Sequence, residues 1–75
     1  MIIIETESGA VYELDTETMH IRRDGPVAGT DANKPDGEWL PITDYNDPAP
    51  GRWMWFVFPD GRVRTTTTVK RVSAR

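Results

Sequence analysis

The chain contains no cysteine. Disulfide staples and thiolate metal sites are therefore excluded, and the composition suits a reducing cytosol. It has one histidine, His20, and only two serines, Ser8 and Ser73. A nucleophile–base pair needs two such groups brought together, and a transition-metal site needs several soft or imidazole ligands; neither can be assembled. No glycine-rich loop leads into a helix, so a phosphate cradle is missing. Asp31, Asp36 and Glu38 offer oxygens to a hard cation, but their spacing is not that of a calcium loop. No catalytic residue, cofactor or metal site is expected, and hence no enzyme. Helical periodicity is absent over any eleven residues. The apolar run at residues 2–4 is far too short for a signal peptide or a membrane span. These absences describe a soluble cytoplasmic protein of one small β domain, residues 1–75.

The densest structural signal is the stretch 52–69. Trp53, Met54, Trp55, Phe56, Val57 and Phe58 are mostly aromatic or β-branched, the side chains that fit a pleated sheet. Pro59-Asp60-Gly61 interrupts them with turn chemistry: proline presets φ, and glycine supplies φ > 0. A type I turn closed by a glycine bulge pairs Phe58 with Arg62, Val57 with Val63 and Trp55 with Thr65; a two-residue Asp60-Gly61 turn would shift that register by one. In the first register one face carries Trp53, Trp55, Val57, Val63, Thr65, Thr67 and Val69 and is expected to be the core. The other carries Met54, Phe56, Phe58, Arg62 and Arg64. Aromatic side chains mixed with arginine are enriched at interfaces, so these five residues are the expected protein-binding surface, unless the middle loop covers them.

Residues 2–6 and 10–15 read as a first hairpin around Glu7-Ser8-Gly9, pairing Ile4 with Tyr12 and Ile2 with Leu14. This places Ile2, Ile4, Ala10, Tyr12 and Leu14 inward, and Ile3, Glu5, Val11 and Glu13 toward water. Asp15 begins a turn, and residues 19–23 return with Met19 and Ile21 inward and His20 and Arg22 outward. Residues 24–51 hold five of the six prolines and four of the six glycines. They read as a long irregular loop, with Trp39, Leu40 and Ile42 pinning it against an end of the sheet. Residues 69–73 continue the last strand or bend into a sixth. The expected fold is all-β, a five- to six-stranded barrel or curled antiparallel sheet. Closure would remove aggregation-prone edges.

Charge is unevenly spread. Residues 1–50 hold eleven acids and three bases, and residues 51–75 one acid and six bases, within a total of −3. The plain consequence is a basic C-terminal hairpin packed beside acidic strands. The alternative is a small nucleic-acid-binding barrel using Arg62, Arg64, Lys70 and Arg71 with the same aromatics; the low pI and the lack of a dense basic stripe count against it.

Four segments together resemble a group of short proteins encoded by phages of actinobacteria: Glu5-Thr6-Glu7-Ser8-Gly9 with Tyr12-Glu13-Leu14-Asp15, Ile21-Arg22-Arg23, Pro35-Asp36-Gly37-Glu38-Trp39, and Gly61 followed by Arg64-Thr65-Thr66-Thr67. The resemblance spans most of the chain and carries over no activity and no site residue. It implies an infected bacterial cytoplasm and a protein that acts by binding a partner protein, itself, or nucleic acid. The chain departs from the pattern at Thr68-Val69, where a proline would interrupt the threonine run.

Overall fold

The chain opens with three short apolar strands joined by polar turns. The computed structural model, which describes residues 1–24 and 38–74, folds them as a meander. Strand β1 (Ile2–Thr6) pairs with β2 (Val11–Asp15) in the register set by the turn, Ile4 opposite Tyr12 and Ile2 opposite Leu14. Gly9 adopts φ 90°, the left-handed region that glycine enters without a Cβ penalty. Asp15 accepts the N–H groups of Glu17 and Thr18 and turns the chain. Strand β3 (His20–Asp24) then pairs with β2, Leu14 opposite Ile21.

The remaining strands are β4 (Leu40–Pro41), β5 (Asp44–Tyr45), β6 (Trp53–Val57) and β7 (Val63–Ala74). All seven form one antiparallel, strongly curled sheet, a half-barrel, in the order β4-β3-β2-β1-β7-β6-β5. Twelve-residue β7 holds it together, pairing with β6 along its first half and with β1 along its second. The two edge strands are successive pieces of one segment. β4 pairs with β3 and β5 with β6. Between them Ile42 donates its N–H to the Met19 carbonyl at 2.9 Å and Thr43 donates to Val57 at 2.8 Å. Residues 40–45 thus tie both ends of the curl and leave little open edge.

The interior is the concave side. Ile4, Ala10, Tyr12, Leu14, Ile21, Ile42, Met54, Phe56 and Val69 form one buried cluster, with Leu40, Tyr45, Phe58 and Val72 packed against it. The expected inward set of the first hairpin is there. Two expectations are corrected. The stretch expected as an irregular loop contributes β4 and β5 to the sheet; its residues 25–37 lie outside the described residues. Ile42 and Leu40 do pack on the core, whereas Trp39 lies over the Arg22 guanidinium, 4.8 Å from its ring centroid. The convex side of the meander, expected to face water, is also partly covered. Ile3 is buried, and Glu13 is only 3 % exposed with Arg22 Nη2 at 2.6 Å from its carboxylate. A carboxyl group is tolerated in that buried place because it is paired and hydrogen-bonded.

Phe56 is 2 % exposed and Trp53 57 %. Phe56→Ala is therefore expected to cost ~3–5 kcal/mol, as for other buried aromatics, and Trp53→Ala less than about 1 kcal/mol. Urea unfolding of both variants checks this; equal losses would mean the hairpin faces are misassigned.

Candidate interaction surface

The β6–β7 hairpin is built from its turn outward. Gly61 donates to the Phe58 carbonyl at 2.9 Å, Phe58 donates to that of Arg62 at 2.8 Å, and Gly61 sits at φ 88°. This is the expected turn with its glycine bulge. The ladder follows in the expected register, Val57 opposite Val63 and Trp55 opposite Thr65. Asp60 accepts the backbone N–H of Arg62 and holds its Nε at 2.6 Å.

Beyond Thr65 the ladder slips. Trp53 pairs with Thr68, so three steps on β7 match two on β6, and Thr66 and Thr67 both oppose Met54. This is a β-bulge. The Met54 N–H displaced from the ladder donates to Thr66 Oγ1 at 3.0 Å, and that hydroxyl donates to the Thr67 carbonyl. The bulge is fastened from the other side as well. Glu7 donates its N–H to the Thr68 carbonyl, and Thr67 Oγ1 lies 3.1 Å from Ser8 Oγ. Lys70 makes a second irregularity, since Glu5 opposes Arg71 but Thr6 opposes Val69.

The first bulge decides which face is inside. In a regular strand Val63, Thr65, Thr67 and Val69 share one side, because side chains alternate with a period of two. One added residue breaks that parity. Val69, opposite buried Thr6, points into the core, while Val63 is 60 % exposed. The expected faces of β6 are consequently exchanged. Met54 and Phe56, expected at the contact surface, are core residues at 0 % and 2 % exposure. The Phe56 ring meets Tyr12 edge-on at 6.0 Å and Phe58 at 5.6 Å. Phe58 is half-buried against them, with the Arg62 guanidinium 5.6 Å from its ring. Arg64, opposite Phe56, is half-buried on the concave side. Arg62 is exposed and holds its guanidinium on Asp60 at the turn, so its apolar stem lies beside this face while its charge stays in water.

The convex side of the hairpin holds Trp53, Trp55, Val57 and Val63 beside Thr65, and Trp53 and Val63 are more than half exposed. Sequence reasoning assigned this set to the interior. No glycine or proline flags the bulge, and four threonines in a row look like an uninterrupted strand. One available signal was that Arg62 and Arg64 lie at the turn end of their face, where a long side chain reaches water. Asp44, opposite Val57, borders the patch at one end; Arg52 and Lys70 are exposed beyond the Trp53–Thr68 rung at the other. The four bases of the nucleic-acid alternative are not gathered. Arg62 is held by Asp60, and Arg71 lies 3.6 Å from Glu5 on the convex side. Arg64 is on the concave side, about 20 Å along the strand from Arg71 at the usual rise per residue.

His20 Nδ1 donates to the Thr18 carbonyl at 2.8 Å, a local turn contact. Among the described residues no three His, Cys, Asp or Glu side chains are grouped to hold a metal; Asp31 and Asp36 lie outside those residues. Among them too, no helix is long and apolar enough to cross a membrane. Comparison with protein-family models, curated proteins and solved structures finds no match to this chain.

Two outcomes follow from the local chemistry. Thr66→Val keeps the β-branched shape but leaves the buried Met54 N–H without its acceptor, an expected loss of ~1–3 kcal/mol; Thr65→Val, on the open side, is expected to be near neutral. Amide exchange at Met54 and urea midpoints read both. The second outcome concerns acid. Backbone N–H groups, that of Thr18 first, hold Asp15 below the ordinary value of 3.8. The N–H of Arg62, then its side chain, does the same for Asp60. A folded pKa lowered in this way gives stability that is present above the unfolded pKa and lost as pH falls through the folded one. The double variant Asp15→Asn, Asp60→Asn is expected to unfold at a lower temperature than wild type at neutral pH. The gap should close as the pH drops below 3.8; a gap that widens in acid would contradict this.

Proposed function

We propose that the protein is a non-enzymatic binding module that engages another protein through the convex face of the β6–β7 hairpin. The observation that carries this reading is the joint exposure of Trp53 and Val63 on the convex side of a single hairpin, either side of its bulge. Trp55 and Val57 complete an apolar strip with them, and a contiguous exposed apolar patch marks an interaction site more often than a scattered residue does. Tryptophan is also among the residues that dominate binding energy, because a rigid ring covers much area at small entropic cost. The ladder presents these groups without a loop to order on binding, which limits the entropy lost. This reading replaces the expected site at Met54, Phe56, Phe58, Arg62 and Arg64, whose aromatic part is interior. The resemblance to short actinobacteriophage proteins supports a setting in the infected bacterial cytoplasm and an accessory role. Nucleic acid is the less favoured partner, because the exposed bases near the strip are few and the others are paired or on the opposite face.

Wild-type protein, Trp53→Asp, Val63→Asp and Arg62→Ala are immobilised and exposed to lysate of an actinobacterial host with and without nuclease. Capture by wild type is expected to fall at least tenfold for Trp53→Asp and Val63→Asp, to persist in Arg62→Ala, and to survive nuclease. Capture indifferent to Trp53 and Val63 refutes the surface. Loss on nuclease treatment transfers the role to nucleic acid.

A further inference from the structure

We infer that the free edge of β7 beyond Val69 takes up an extended segment of a partner protein as one more antiparallel strand, and that this segment alternates acidic with apolar residues. The site is the strand edge, apart from the convex strip, and does not depend on that strip's role.

The free edge follows from hydrogen-bond parity. In an antiparallel ladder a residue turns its N–H and C=O to one side, and its neighbours turn theirs to the other. Thr6 donates to the Ala10 carbonyl and accepts from Gly9, so the even-numbered residues of β1 bond toward β2. Ile3 and Glu5 therefore bond toward β7, where Ser73 and Arg71 are their partners. Val72 and Ala74 then turn their N–H and C=O away from β1. On that side the last rung is at Val69, whose N–H donates to the Arg52 carbonyl at 2.7 Å and whose carbonyl accepts from Gly51 at 2.9 Å. β6 pairs no further along β7. Among the described residues, none bonds to the outward backbone groups of Val72 or Ala74. A strand with one side unpaired is a template for another chain.

The flanking side chains select the occupant. Val72 lies opposite Ile4 and Ala74 opposite Ile2, on the concave side. Arg71 lies opposite Glu5 and Ser73 opposite Ile3, on the convex side. Residues of an added antiparallel strand that bond to Val72 and Ala74 stand opposite them and share their side. Apolar side chains at those positions extend the cover over half-buried Val72. The residues between them project beside Arg71, next to exposed Lys70, and opposite charges in such cross-strand positions are favourable. Glu5 leaves that place open. Its link to Arg71 is 3.6 Å long, the Arg71 side chain is 69 % exposed, and Glu5 belongs to β1, on the far side of β7 from the newcomer. Glu7 bonds to Thr68, before the free stretch begins. A second β7 fits poorly, because it brings bases where this edge calls for acids.

The probe is the peptide acetyl-Glu-Val-Glu-Val-Glu-amide, titrated into the isotope-labelled full chain and followed by amide shifts and hydrogen exchange. So small a contact is expected to saturate at ~0.1–1 mM peptide. The largest shifts and the slowed exchange are expected at Val72 and Ala74, with no change at Trp53 or Val63. N-methylation of both valines removes the donors that face the edge and is expected to weaken binding at least about tenfold. N-methylation of the glutamates, whose N–H groups point away, is expected to be tolerated. Replacing the glutamates by lysine, or Lys70→Glu in the protein, should weaken binding as well. No binding at millimolar peptide overturns the inference. Binding indifferent to valine methylation overturns it too, since that would be attraction of charge alone. Shifts centred on Trp53 and Val63 would move the peptide to the convex strip and end the claim for the edge. Exchange at Val72 and Ala74 that slows with protein concentration alone would give the edge to a second copy and contradict the inference equally.

Discussion

A single added residue in the threonine run sets the inside and outside of this molecule. Where Thr66 and Thr67 share one partner, the alternation of β7 shifts by one, and everything on the turn side of that point is turned over relative to the half that pairs with β1. The half at β1 has no freedom, because Ile4 and Thr6 are already committed to the interior and Val69 and Val72 must follow them. Met54 and Phe56 therefore enter the core, and the two tryptophans of β6 leave it. The bulge persists because its polar groups are satisfied: threonine hydroxyls accept the displaced amide and bond to the neighbouring turn.

The same strand links packing to the surface. β7 bends at its two irregularities, and that bend allows one strand to belong to both halves of the curl. Curling brings β3 and β6 close enough for residues 40–45 to pair with both. A chain of 75 residues has a small interior. Once Phe56, Met54, Tyr12 and their neighbours fill it, no room remains for Trp53 and Trp55. The exposed strip is thus a consequence of an aromatic strand with two apolar sides and one available core.

Most local features were legible in the sequence. The Glu7-Ser8-Gly9 and Pro59-Asp60-Gly61 turns, the Asp15 turn, the register of the first hairpin, that of the second as far as Trp55–Thr65, and the all-β curled architecture follow from turn chemistry and alternation. The face of β6 was not legible. Register propagates from a turn only while the ladder stays regular, and threonine is equally at home in a regular strand and in a bulge that uses its hydroxyl. The burial of Glu13 was missed for a related reason: its partner Arg22 and the Trp39 above it come from separate parts of the chain, so local pattern gives only a charged outward residue. The short strands β4 and β5 escaped because two-residue pairings carry no periodicity, and the prolines around them favour a loop reading.

The most direct measurement is a nuclear Overhauser spectrum of the aromatic and methyl protons at neutral pH. The account predicts contacts between the Phe56 and Tyr12 rings, whose centroids are 6.0 Å apart, contacts from the Met54 methyl into the buried cluster, and none linking the Trp53 or Trp55 indoles to Tyr12 or Leu14. Contacts from those indoles to Tyr12 or Leu14, with the Phe56 ring free of the core, would show a regular threonine strand and contradict it.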